Sequence, residues 1–88
     1  MVPPHSHSRF VLYQRDDCHL CDLALSTLAE AGLPDFESVF IDGDSALEAR
    51  YGARVPVLRE SAVGVELDWP FDSAAVAALQ AETFGDPD

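Results

Sequence analysis

Lysine is absent from this 88-residue chain, and five arginines face sixteen aspartates and glutamates. The resulting formal charge of −11 is spread along the sequence instead of being gathered in a tail. A surface of that sign repels phosphate backbones and anionic bilayers, which argues against nucleic acid and membranes as partners. Long apolar runs are missing as well. Although 48% of the residues are hydrophobic, no run approaches the ~20 residues that a membrane-spanning helix needs. The opening segment, Met1-Val-Pro-Pro-His-Ser-His-Ser8, has neither the basic start nor the apolar stretch of a secretory leader, so the expected location is cytoplasmic. Cysteine is scarce, with two in all, and they lie close together at Cys18 and Cys21. In a reducing compartment such a pair points to redox chemistry or metal binding before it points to a structural staple.

A chain this short supports one core, not two. Residues 1–8 show no periodicity and are expected to form a loose arm, residues 9–84 a single domain, and residues 85–88 a tail. Phe10-Val-Leu-Tyr13 is a continuous β-forming run of the kind covered on both faces, and the polar Gln14-Arg-Asp-Asp17 follows it directly. From His19 to Ala31 the apolar residues Leu20, Leu23, Ala24, Leu28 and Ala31 fall at helical spacing, and Gly32 with Pro34 marks the stop. Glu37-Ser-Val-Phe-Ile41 reads as a second strand. Ser45-Ala-Leu-Glu48 has the spacing of a capping box for a short helix ending near Gly52. Arg54-Val-Pro-Val-Leu58 and Val63-Gly-Val-Glu-Leu67, separated by four residues, predict an antiparallel hairpin. A last helix is expected from Asp72 or Ser73 to about Thr83, with Val76 and Leu79 facing inward. Strand-helix-strand crossovers give parallel pairs, so the expected product is α/β, a four-stranded mixed sheet flanked by three helices.

The motif that carries chemistry is Cys18-His-Leu-Cys21, placed where a strand hands over to a helix. There the free backbone N–H groups and the positive end of the helix dipole favour a thiolate on Cys18, and Cys21 lies one turn further in, close enough to resolve a mixed disulfide. Cys18 is therefore the candidate nucleophile. The helix end contributes about 0.3–1 kcal/mol to a thiolate, while Asp16 and Asp17 each oppose it by about 0.6 kcal/mol at ~7 Å in a water-like dielectric. His19, when protonated, and Arg15 shift the balance back toward thiolate. A purely structural Cys18–Cys21 bond would close so short a ring that loop entropy yields only ~2 kcal/mol. Zinc, with His5, His7 or His19 completing a site, lacks a second ligand pair at the usual spacing, so no metal is expected.

With Cys18-His-Leu-Cys21 after the first strand and Val55-Pro56 before the third, the chain resembles the thioredoxin superfamily, and most closely its small bacterial glutaredoxin-like proteins. The resemblance spans about residues 9–84. It implies a thioredoxin fold and thiol–disulfide oxidoreductase activity, with Cys18 and Cys21 catalytic and a disulfide-containing protein or a low-molecular-weight thiol as partner. It also implies a cis Val55-Pro56 bond beside the cysteines, with Val55 contacting substrate. Arg15 matches the family's basic position before the first cysteine, and His19 lies between the cysteines. No tightly bound cofactor is implied, and glutathione enters as a candidate co-substrate, its carboxylates meeting Arg15 and Arg54 and its backbone donors coming from Asp72-Ser73. The chain departs from the family pattern in three places: His19-Leu20 replaces Pro-Tyr, Arg54 replaces Thr, and Asp68-Trp-Pro-Phe71 stands where a Gly-Gly turn belongs. These departures motivate a second reading, a redox-inactive module that holds a peptide around Val55 and Trp69. The expected state is a monomer.

Overall fold

The structure, a computed structural model, describes residues 9–33 and 35–84, and side chains as far as residue 81. The arm expected over residues 1–8, the tail over 85–88, Pro34, His5 and His7 lie outside the described residues. Seven elements follow in order: β1 (Phe10–Gln14), α1 (His19–Glu30), β2 (Glu37–Phe40), α2 (Ser45–Tyr51), β3 (Val57–Glu60), β4 (Glu66–Asp68) and α3 (Ser73–Phe84). The strands form one mixed sheet in the order β2-β1-β3-β4. β1 runs parallel to β2, with Leu12 opposite Ser38, and antiparallel to β3, with Leu12 opposite Leu58. β3 and β4 are antiparallel, with Leu58 opposite Leu67.

Side chains alternate across the sheet, so successive residues of one strand serve different cores. Phe10, Leu12 and Leu58 pack with Ala24 and Leu28 of α1 and with Val76 and Leu79 of α3. On the other face Val57 and Tyr13 meet Ile41 and Tyr51, the last residue of α2. The central strands are thus covered twice, as the unbroken apolar run of β1 predicts.

Four local expectations are corrected. In α1 the inward stripe is Cys21, Ala24 and Leu28, while Leu20 and Leu23 are exposed. Burying Cys21 sets the rotational phase, and residues one or two positions away then turn toward solvent. The cap of α2 is Asp44, whose Oδ1 accepts from the Leu47 N–H at 3.1 Å, and not Ser45. β3 begins at Val57 because Pro56 has no N–H for the ladder and because the N–H groups of Arg54 and Val55 turn back to Tyr51 O at 2.8 and 3.0 Å. The hairpin bend falls later than the charged Arg59-Glu60 suggests. Glu60 is fully buried, its Oε1 accepts from the Val63 N–H at 2.8 Å, and Gly64 closes the turn at φ 81°, a left-handed conformation suited to glycine.

β4 and α2 are held together by Glu66. Its Oε2 accepts from Tyr51 Oη at 2.7 Å, Arg59 Nη1 at 2.8 Å and Arg50 Nη2 at 3.3 Å; its Oε1 accepts from Arg54 Nη2 at 2.6 Å. The Tyr51 ring stacks on Tyr13 with centroids 4.2 Å apart, and the guanidinium groups of Arg50 and Arg54 each lie 5.2 Å from the Tyr51 ring centroid. Burial alone would raise the Glu66 carboxyl, but the hydrogen bonds from Arg54, Tyr51 and Arg59 outweigh it and hold the group at about 2, below its ordinary 4.5. Burial first, and then the bond to Glu66, pushes the Tyr51 hydroxyl up to about 12.

These shifts set two pH limits. A depressed carboxyl stabilises fully above its unfolded value, so the Glu66 contribution, on the order of 3 kcal/mol, is lost as pH falls from about 4.5 through about 2. A raised phenol does the reverse, and the Tyr51 contribution is lost as pH rises from about 10 through about 12. Urea unfolding followed from pH 7 to pH 2 should therefore show an acid limb of that size. Glu66→Gln should flatten that limb and cost on the order of 2–3 kcal/mol at pH 7. An equally steep limb in the variant would assign the acid sensitivity to other carboxylates.

Candidate active site

Cys18 occupies the N-cap of α1, with extended backbone at φ −120° and ψ 111°. Ser, Thr, Asn or Asp usually fills such a position by accepting from a first-turn N–H. Here a sulfur does so: the Cys21 N–H donates to Cys18 Sγ at 3.1 Å. The loop that delivers Cys18 is shaped by Asp17, the one described non-glycine residue with positive φ, at 56°. Aspartate tolerates that region better than most residues, because its short polar side chain bonds locally. The Asp17 N–H donates to Asp16 Oδ1 at 3.1 Å, and the Asp16 N–H donates to Asp42 Oδ1 at 2.8 Å. The loop carrying the cysteine is thereby tied to the turn after β2.

Both thiols are free, Cys18 half-buried and Cys21 buried. Cys21 is 1% exposed and accepts a long bond from the Arg15 N–H at 3.5 Å. Burial, followed by its hydrogen bond with Cys18, pushes the Cys21 thiol up to about 11 from an ordinary 9.0. The pair is therefore asymmetric: one sulfur reaches solvent at the tip of a helix, and the other keeps its proton beneath it.

Arg15, Cys18 and His19 line one cleft of about 470 Å³ between the start of α1 and β2. His19 is exposed. Arg15 makes a two-pronged contact with Glu48, 2.8 Å from each nitrogen, and its Nη2 also donates to Gly52 O at 3.1 Å. The hydrogen bond to the Glu48 carboxylate raises the Arg15 pKa. Val55 and Pro56 do not line this cleft. Val55 packs against the Ile41-Tyr51-Val57 cluster, Pro56 is buried, and the Val55-Pro56 bond is cis. A second cis bond, Trp69-Pro70, lies in the Asp68–Phe71 segment that stands in place of a Gly-Gly turn, and Trp69 packs edge-on against Phe71 with centroids 5.1 Å apart. Arg54 is occupied by Asp68 as well as Glu66, and Asp72 Oδ1 caps α3 by accepting from the Ala75 N–H at 2.8 Å.

Sequence reasoning missed Asp42, Glu48, Gln14 and Phe40. Asp42 and Glu48 act across elements distant in sequence, and no local spacing reports that. The apolar run Val39-Phe40-Ile41 does not reveal that β2 is an edge strand whose phenylalanine is 51% exposed. Among the described residues no group of three or more His, Cys, Asp or Glu side chains is placed to hold a metal ion, and no helix is long and apolar enough to cross a membrane.

Known structures share this fold. Protein XcR50 from X. campestris, solved by X-ray crystallography, is 57% identical over 83% of this chain and 96% of its own, with a TM-score of 0.78. Its solution structure gives the same identity and TM-score. Protein Ne2328 from Nitrosomonas europaea, a solution NMR structure, is 31% identical over 90% of this chain and 94% of its own, with a TM-score of 0.68. No curated protein matches the chain. The family described as Glutaredoxin-like domain (DUF836) matches residues 9–79. With that match covering most of its length and a thioredoxin-like sheet bearing a cysteine pair at the tip of the first helix, the chain belongs to the glutaredoxin-like domain family.

Proposed function

We propose that the chain is a thiol–disulfide oxidoreductase. The observation that carries this reading is the cysteine pair at the start of α1: half-buried Cys18, whose sulfur caps the helix by accepting from the Cys21 N–H, and buried Cys21 one turn further in. Cys18 Sγ, as thiolate, attacks one sulfur of a substrate disulfide. The Cys18–substrate bond forms, the substrate disulfide breaks, and the departing sulfur leaves as a thiolate that takes up a proton. Cys21 then gives up its proton and attacks Cys18 Sγ, forming the Cys18–Cys21 bond and releasing the second substrate thiol. Two electrons pass from the dithiol to the substrate, and a thiol reductant from solution restores the pair.

The asymmetry orders these steps. Negative charge on Cys18 Sγ is met by the Cys21 N–H and the helix end. Part of what holds the proton on Cys21 is its bond to Cys18, and that bond is given up once Cys18 is in a mixed disulfide, so Cys21 becomes easier to ionise when it is needed. The Val55 N–H is bound to Tyr51 O, which leaves the Val55 carbonyl as the group to meet a bound chain. The reading places the protein in the reducing cytoplasm, as a monomer acting on disulfide-bearing proteins or small thiols.

Titration of the Cys18/Cys21 pair against glutathione and dithiol buffers should give a reversible two-electron couple between roughly −120 and −270 mV. Cys18→Ser should abolish turnover, and Cys21→Ser should stall as a one-to-one mixed disulfide. A pair that never forms a bond would sink this reading and favour a module that only binds. Alkylation supplies an independent check. At pH 7 iodoacetamide should modify Cys18 first, because a thiol at about 11 is ionised to only about one part in ten thousand. Equal labelling of both cysteines in the folded protein would contradict the asymmetry.

A further inference from the structure

Arg15, the first residue after β1, meets Cys21 with its backbone and α2 with its side chain. Its N–H donates to Cys21 Sγ at 3.5 Å. Its guanidinium donates to both carboxylate oxygens of Glu48 at 2.8 Å and to Gly52 O at 3.1 Å. Three hydrogen bonds from one planar group fix orientation as well as distance. The N–H of the next residue, Asp16, is held by Asp42 Oδ1 at 2.8 Å, so the chain that faces Cys21 is gripped both by α2 and by the turn that precedes it.

The end of α2 is shaped around this contact. A Cβ at Gly52 would stand 2.5 Å from Glu48 O and 3.1 Å from Glu48 Oε1, so glycine there leaves the carboxylate and the Gly52 carbonyl in place to receive Arg15. The two side chains are 34% and 37% exposed, and an ion pair this open to water contributes modestly to folding even in two-pronged form. What the pair does fix is the direction of one backbone donor.

That donor is needed when a mixed disulfide is resolved. Cys21 gives its proton to solvent, its thiolate bonds to Cys18 Sγ, the Cys18–substrate bond breaks, and the substrate sulfur leaves as a thiolate that takes up a proton. Negative charge therefore gathers on Cys21 Sγ, a buried atom. Burial opposes that charge, and so do Cys18 and Asp22, while the Arg15 N–H favours it. We infer that Glu48 is a positioning residue for the resolving step: its grip on Arg15 holds the Arg15 N–H against Cys21 Sγ while that sulfur becomes charged. The inference rests on the proposed exchange between Cys18 and Cys21.

The test mixes the reduced chain with 2,2′-dithiodipyridine, a symmetrical disulfide whose two halves leave as 2-thiopyridone. The first release is bimolecular and reports attack by Cys18; the second is unimolecular and reports resolution by Cys21. Both are followed from about pH 6 to about pH 9 in the unaltered chain, in Glu48→Ala and in Glu48→Gln. Losing a hydrogen bond to a charged sulfur cuts its thiolate fraction at pH 7 by about tenfold. Because a more basic thiol is also the better nucleophile, the second release of Glu48→Ala should slow by about three- to fourfold, with its pH–rate profile moved to higher pH. Glu48→Gln, which keeps an acceptor for the guanidinium, should slow it less, and carries the test alone if Glu48→Ala does not fold. The sign separates positioning from charge, since a guanidinium freed of Glu48 would by itself favour thiolates, quicken the second release and move its profile to lower pH. That result, or an unchanged second release with only a lower melting temperature, would overturn the inference and leave the exchange reading in place. No first release from the unaltered chain would overturn both.

Discussion

One carboxylate organises the half of the molecule opposite α1. Glu66 accepts from Tyr51, Arg50, Arg54 and Arg59, and these donors come from α2, from the loop after it and from β3. A charge that is 15% exposed is tolerable because four donors converge on its two oxygens. In return the carboxylate draws the end of α2 onto the β3-β4 hairpin, stacks Tyr51 on Tyr13 of β1 and fixes the path of the chain into Val55-Pro56. Glu48 repeats the device on a smaller scale, coupling α2 to the loop before Cys18 through Arg15.

Strand and helix identities were legible because β1 is apolar without interruption and because Gly and Pro punctuate the rest. The mixed sheet followed from element order alone, through the crossover rule. Boundaries failed where a side chain acts against its class. Glu60 is an acidic residue in a short charged stretch, yet it is buried and satisfies the turn that follows it. Val63 and Val65 have strand character, yet stand exposed in that turn. Leu20 and Leu23 look like core and are not, since Cys21 claims the inward direction of α1.

At the site the sequence identified the two cysteines and the strand-to-helix handover. What it left illegible was the commitment of the arginines. Arg15 and Arg54 stand at positions from which they could meet an anionic ligand, and only the folded chain shows Glu48, Glu66 and Asp68 already there. Ion pairs between residues 12 to 33 positions apart have no periodic signature, so charge composition alone could say how many acids outnumber the bases but not which bases remain unmatched.

The use of Cys18 Sγ as the cap of α1 has a mechanical consequence. A helix cap is an acceptor, and a sulfur accepts most strongly when it is charged. A sulfur that is drawn into a bond with another group is a poorer acceptor, and the Cys21 N–H is the donor that feels the change. The opening turn of α1 and the chemical state of its own cap are therefore joined through a single hydrogen bond, the one from the Cys21 N–H.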